Sequence, residues 1–554
     1  MKKKNDLKND ENNGPERSVI GRRDLMKLGV GAGVAVAGSG MLESAVQGAQ
    51  EGQSTQTAHP VGGETVVPAW GSLPMTSGRT TRLSKAGYKN DSNRAFGNGP
   101  MDDITRQVVE YAGKFWESTL PDSTASMVNN LMVDAMACVI AGFESDPVRA
   151  AARAARMVQG TTMKSTVFGY GISSSPELAT FANCCMVRHN DFSDTGAEGH
   201  PSDVIPGILA MGETVHASGT RIMQAVTLAY EIMGSFQNGT PRSALPAWDT
   251  IYVGPSVAVA AGKLLGLNDD QLANALSLSL VTHMEFNASH SAGPLSMMKA
   301  CHSAETCKSA IFSCIIAKEG LTGPCGPFQG TKGLCDAVSG GAFTIELPSP
   351  VTARDRYRKP GQMVIEGTQF KRYPAENGTQ AMLAILPDFH KWTKPEEVDS
   401  IYVEMSSWGE IGDPAKWDPR NEETADHSVP YIIARSLISG EMYLDSYTKE
   451  KFMDPAAREL MAKTSIQEVP DLGGGGPRVT IKKKSGEQMV KHTPPYVLMT
   501  PEEVIAKFNR VCDYKSVKGE QKDKIRETWQ NLKSVSNIAV PIADIAHFGK
   551  PLPL

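Results

Sequence analysis

From Asp102 to about Gly320 the chain repeats one pattern: apolar residues three and four positions apart, broken by short loops of Gly, Asp and Asn. That spacing gathers the apolar side chains into a stripe along a helix, and each stripe must be buried against another. "DDITRQVVEYAGKFWESTLP" opens the series and stops at Pro121. "STASMVNNLMVDAMACVIAGF" is apolar nearly all round, so it is predicted to be a buried helix. "DPVRAAARAARMVQG", "SPELATFANCCMVRHNDF", "PSDVIPGILAMGETVHASG", "TRIMQAVTLAYEIMGSF", "GPSVAVAAGKLLGLNDDQLANALSLSLVTH" and "MMKACHSAETCKSAIFSCIIAKEG" continue it. A run of this kind folds as helix packed on helix.

After about Gly340 the texture changes. "GAFTIEL", "GQMVIEGTQFKRYP", "VDSIYVEMSSW" and "PRVTIKKKSGEQMVKH" read as short strands between helical runs such as "NGTQAMLAILPDF" and "SVPYIIARSLISG". The predicted fold class is therefore mainly α: a large all-helical domain over 101–340 and a smaller α+β domain over 341–520. Residues 521–554 are helical again and are expected to return to the large domain.

The N-terminus reads as an address. A charged stretch ends in "GRRDLMKLG", a weakly apolar Gly/Ala/Val run follows, and "SAVQGAQ" offers small residues for cleavage. Residues 1–50 resemble a twin-arginine export signal with Arg22 and Arg23 as the pair, although Gly21 stands where Ser or Thr is usual. The expected transient partner is the twin-arginine export machinery, and the expected location is periplasmic or extracytoplasmic. The apolar run is too short for the ~20 residues that span a bilayer. Residues 51–100 are polar and punctuated by Gly and Pro, as in a linker or extended arm.

Charge and cysteine narrow the function. There are 56 basic and 61 acidic residues, a near balance that argues against a nucleic-acid surface. The nine cysteines form no CxxC, which argues against a metal–sulfur cluster. There is no G-x-S-x-G elbow, no P-loop and no G-x-G-x-x-G after a strand; "DLGGGGPRV" precedes a strand and lacks the phosphate-loop Lys-Ser/Thr.

Four segments carry candidate chemistry. "RHNDFSDTGAEGHPSD" follows a helix and is broken by Gly196 and Gly199, and His200 stands at the start of the next helix. A positive helix end keeps imidazole neutral, as proton transfer requires. Ser202 or Asp203 is the expected helix cap. An acidic surface loop accounts for the same spacing, and a metal site using Asp191, Asp194 and His200 is a weaker reading, since no HExxH or calcium-loop pattern is present. In "GPLSMMKACHSAETCKSAIFSC", Lys299, His302 and Ser303 share one helix face. In "GTQFKRYPAENGTQAML", Lys371 and Arg372 precede a rigid turn and suit a carboxylate clamp. In "ETADHSVPYIIA", Thr424 to His427 reads as a cap and Tyr431 lies near the helix start. Each of the last three also has an ordinary reading, as a snorkelling lysine, a solvated basic pair and a packing tyrosine.

Taken in this order, "DFSDTGAEGHPSD", "SMMKACHSAETCKSAIFSCIIAKEGLTGP", "FKRYPAENGTQA" and "TADHSVPYIIARSL" resemble the MmgE/PrpD family, with "YVGPSVAVAAGKLLGL" in support. The resemblance covers most of 100–550. It implies a helical domain plus an α+β domain with the active site between them, a homodimer, and neither metal nor other cofactor. It implies a small anionic carboxylic-acid substrate and assigns catalytic positions to Asp191, Thr195, His200, Lys299, Lys371 and Tyr431. Arg372, His302 and Ser303 are expected to help bind substrate. Some members carry a histidine where this chain has Trp248, Asp249 and Thr250, and decarboxylase-like members have Cys and His where this chain reads "AENGTQ". These departures favour a metal-independent hydro-lyase, 2-methylcitrate-dehydratase-like, over a decarboxylase. An epimerase or racemase, a decarboxylase, and an exported non-catalytic polycarboxylate-binding protein stay open.

Overall fold

The computed structural model describes residues 100–158, 162–196, 199–240, 250–283, 286, 288–291, 293–337, 344–352, 355, 357–406, 413–472, 476–517, 519–549 and 551–554. The expected export signal, the arm up to residue 99, and Trp248 and Asp249 lie outside the described residues.

The helical series forms α1 (Asp103–Trp116), α2 (Asp122–Gly142), α3 (Asp146–Arg156), α4 (Pro176–Arg188), α5 (Ile205–Thr214), α6 (Gly219–Gly239), α7 (Thr250–Leu265), α8 (Asp269–Thr282) and α9 (Met298–Lys318). Local chemistry sets the ends. The Asp102 side chain accepts the Thr105 N–H at 2.8 Å, and Asn268 and Gln271 form a reciprocal capping box on α8. Helix α2 is buried from Leu131 to Gly142, as its apolar circumference requires. It crosses α4 so closely that a Cβ on Gly142 would lie 2.4 Å from the Met186 carbonyl oxygen. One small hairpin, β1 (Ser165–Val167) with β2 (Ile172–Ser174), interrupts the helices.

The smaller domain packs α10 (Leu386–Trp392), α11 (Val429–Ser439) and α12 (Pro455–Ala462) with a four-stranded sheet of β3 (Val398–Met405), β4 (Thr464–Glu468), β5 (Arg478–Lys483) and β6 (Gln488–His492). The strand order is β4-β3-β5-β6; β3 pairs parallel with β4, and the other pairs are antiparallel. Val398, Ile401, Val403 and Met405 on β3 join Val479 and Ile481 on β5 in the core, while the side chains between them face outward or are half-buried.

Two expectations fail between residues 341 and 374. "GAFTIEL" carries no strand in its described part, and "GQMVIEGTQFKRYP" holds a 3₁₀ turn at Val364–Gly367. Three backbone donors there, on Ser349, Met363 and Val364, are met by carboxylates instead of a neighbouring strand. Buried Glu231 of α6 accepts from the Val364 N–H and, at 3.2 Å, from the Ser349 N–H; Glu366 accepts from the Met363 N–H at 2.8 Å. Ile345, Val364, Ile365 and Phe370 belong to the large core, and the second core begins at Ala375, later than the expected boundary at 341.

The return to the large domain also begins earlier than 521. It starts with α13 (Pro501–Tyr514), whose Val504, Phe508, Val511 and Cys512 sit in the large core, and continues through α14 (Gly519–Trp529) and α15 (Ala539–Asp544). A buried ion pair fixes α13: Lys507 Nζ lies 2.7 Å from Asp134 Oδ1 of α2.

Candidate active site

Helix α4 ends at Arg188, and the chain turns sharply through Asp191, whose φ of 48° lies in the left-handed region that non-glycine residues rarely adopt. This turn is held on every side. Arg188 reaches the Asp191 carboxylate, Lys371 Nζ lies 2.7 Å from Asp191 Oδ2 and 3.1 Å from its carbonyl oxygen, and Lys507 Nζ donates to the Phe192 carbonyl at 2.6 Å. Thr195 and Gln369 exchange two backbone hydrogen bonds of 2.8 Å, which clamps the acid loop to the segment carrying Lys371.

His200 is the residue before a 3₁₀ turn, Pro201–Val204, as a helix-start histidine was expected to be. Its Nδ1–H donates to the Asp194 carbonyl at 2.7 Å, which leaves Nε2 as the basic nitrogen, 3.7 Å from Asp191 Oδ1. Burial holds the imidazole well below its usual pKa, and Arg188 and Lys371 add to the effect. Burial, more than a helix end, thus keeps it neutral. Asp191 shows the opposite balance. Burial pushes it up, but Lys371 and Arg188 outweigh burial and hold it well below the usual carboxylate range.

A second carboxylate–lysine pair stands beside the first. Lys299, in the first turn of α9, is fully buried and pairs with Asp426 of the smaller domain, whose other oxygen lies 2.5 Å from His427 Nδ1. Burial pushes Asp426 up to about 6 against the pull of Lys299, with Asp191 adding like-charge repulsion. The large domain thus supplies Asp191, His200 and Lys299, the linking segment supplies Lys371, and the smaller domain supplies Asp426 and His427. The two carboxylates ionise over different ranges, which separates a permanent anion from a proton carrier.

The remaining expected residues fall elsewhere. Asp203 caps no helix: its Oδ2 accepts from Ser303 Oγ at 2.5 Å, and the Ser202 N–H is instead taken by Asp194 Oδ1 at 3.0 Å. Ser303 is thereby committed to Asp203, and His302 Nδ1–H to the Lys299 carbonyl at 2.9 Å. Arg372 turns away from Lys371 and forks Glu503 of α13 at 2.6 and 2.9 Å, half-exposed at a pocket of about 230 Å³ that Phe192, Tyr443 and Lys507 also line. Tyr431 lies in the smaller domain's core with its hydroxyl on the Ser446 carbonyl. The Thr424–His427 cap is in fact made by Asn421, which accepts the Thr424 N–H at 3.0 Å. Asp426, Arg188 and Lys507 were not singled out from sequence. The only signal for Asp426 was an acid immediately before His427.

Comparison with known proteins agrees with this two-domain arrangement. The MmgE/PrpD N-terminal domain model matches residues 106–346 and the MmgE/PrpD C-terminal domain model matches 373–532. The chain is 26% identical over 351 residues to 2-methylcitrate dehydratase of Salmonella typhi, covering 57% of this chain and 68% of that one. It is 25% identical over 406 residues to mitochondrial 2-methylcitrate dehydratase of Yarrowia lipolytica, covering 66% and 72%. It is 25% identical over 342 residues to cis-aconitate decarboxylase of Mus musculus, covering 57% and 65%. With both domain models matched in order over most of the described chain, the protein belongs to the MmgE/PrpD family.

Proposed function

We propose that the protein is a hydro-lyase acting on a hydroxy di- or tricarboxylic acid, without a metal in the chemical step. The observation that carries this reading is the convergence of two buried lysines, Lys299 and Lys371, with a neutral imidazole, His200, at the junction of the two domains. Dehydration next to a carboxylate needs a base for a weak carbon acid and cations for the enediolate that forms. His200 Nε2 takes the proton. Lys371 and Lys299 receive the developing charge as a substrate carboxylate competes with Asp191 and Asp426 for them. Asp426, ionising near 6, or His427 beside it returns a proton to the leaving hydroxyl.

Relatives with dehydratase and decarboxylase names support the lyase class. The "AENGTQ" run after Pro374 favours dehydration. A homodimer in an extracytoplasmic compartment, reached by twin-arginine export, is part of the same proposal and rests on the N-terminal sequence and the family resemblance.

A screen of hydroxy di- and tricarboxylates, including citrate and 2-methylcitrate, tests it by alkene absorbance and by deuterium uptake from heavy water. Alkene formation that His200→Ala abolishes is the expected result. Deuterium exchange with inversion and no alkene indicates an epimerase, and carbon dioxide release a decarboxylase. Anion binding with no turnover on any of these acids would sink the enzymatic reading.

A further inference from the structure

Beside the Lys299–Asp426 pair, three side chains that the proposed chemistry does not use converge from the two domains. His189 is the C-cap residue just after α4, and Glu422 and Glu423 open the short Glu422–Ala425 helix of the smaller domain. Each offers a ligand atom, and all three atoms lie within 4.8 Å of one another. His189 Nε2 is 3.5 Å from Glu422 Oε1. Two ligands of a tetrahedral zinc-type ion, with bonds of ~2.0–2.1 Å, stand roughly 3.3 Å apart, so this pair is nearly set and Glu423 needs a small rotation.

Acids in a first helical turn are ordinarily explained by the helix dipole, on an exposed surface. That account does not fit here. Glu423 is 3% exposed and His189 6% exposed. Glu423 Oε1 is buried without a hydrogen-bond partner. A buried carboxylate oxygen with no donor is costly unless something positive meets it. One imidazole with two carboxylates suits a borderline transition ion better than an all-oxygen Mg²⁺ shell.

The geometry points to a divalent transition-metal site at the domain junction, with His189, Glu422 and Glu423 as ligands and a zinc-type ion as occupant. The ion would tie the end of α4 to the smaller domain next to the candidate active site. The site stands apart from the dehydration reading and survives its failure, since none of its ligands moves a proton or holds substrate in that reading.

The full chain, without an oligohistidine tag, is stripped with chelator and titrated with Co²⁺ and Zn²⁺. The expected result is one ion per chain, a Co²⁺ spectrum of nitrogen and oxygen ligation, and a rise in melting temperature that grows with ion concentration. His189→Ala and Glu423→Gln should each weaken binding by more than about 100-fold, beyond the loss typical of outer-shell partners. Half-exposed Glu422→Gln keeps shape and fold and should weaken binding at least tenfold; it decides the matter if the buried variants do not fold. No binding by the parent chain, a thiolate charge-transfer band pointing to the nine free cysteines, or unchanged affinity in Glu422→Gln would overturn the site.

Discussion

Lys371 donates to Asp191 twice, to the side-chain Oδ2 at 2.7 Å and to the backbone carbonyl at 3.1 Å. One buried ammonium therefore fixes both the charge and the left-handed backbone of the residue on which the acid loop turns. Lys371→Met should strand a buried carboxylate. Breaking such a pair costs about 3–5 kcal/mol, although Arg188 still reaches Asp191 and should hold the loss to the lower end. Turnover on an identified substrate should fall by roughly 100-fold or more, the scale for losing one charge-stabilising donor. Denaturant midpoints and kcat measure the two effects.

The neighbouring cation should behave differently. Arg372→Ala removes a half-exposed fork to Glu503, for which a loss of about 1 kcal/mol or less is expected. KM should stay within about twofold, because this guanidinium is engaged outside the buried constellation. A large rise in KM with unchanged stability would restore Arg372 to the carboxylate clamp.

Ser303 is committed to Asp203, so Ser303→Ala should act on stability more than on binding. Removing the donor from a buried carboxylate is expected to cost about 1–3 kcal/mol, with KM unchanged. Thermal unfolding and steady-state kinetics on one preparation separate the two effects.

Asp194 gives a pH signature. It accepts from Tyr230 Oη at 2.8 Å and from the Ser202 N–H at 3.0 Å, yet burial pushes it from 3.8 up to about 6. A carboxyl with a raised folded-state pKa binds its proton more tightly when folded. Its contribution to stability is complete below about pH 4 and is lost as pH rises through 6. Asp194→Asn does not titrate, so its stability relative to the parent should climb by about 3 kcal/mol between pH 4 and 7. Denaturant melts across that range provide the check, and a flat difference contradicts the raised pKa.

Neutral His200 gives the opposite sign. Its pKa is held well below 6.5, so its contribution is present above that value and is lost as pH falls toward the depressed folded value. As the base, it should keep kcat/KM supported well below pH 6.5, and any acid limb should vanish from the residual rate of His200→Ala.

Helix periodicity identified α1 to α9 because each apolar stripe is a local property of the chain. It misread Met363–Phe370, where apolar residues that look like a strand insert singly into the helical core and the Met363 and Val364 N–H groups are taken by Glu366 and Glu231. The candidate site divides in the same way. Asp191, His200, Lys299 and Lys371 stood out as residue types at helix ends and turns. Asp426 did not, because its partner Lys299 lies 127 positions away.

The sequence by itself determined which residues can ionise, which segments of the large domain are helical, and which segments carry an acid, a base or a cation. Tertiary structure alone decided which of those charges meet. It paired Lys371 with Asp191 and Lys299 with Asp426, sent Arg372 to Glu503, and gave Ser303 to Asp203. The physical reason is that pKa and pairing depend on burial and on neighbours distant in the chain, and both exist only once the two cores have closed.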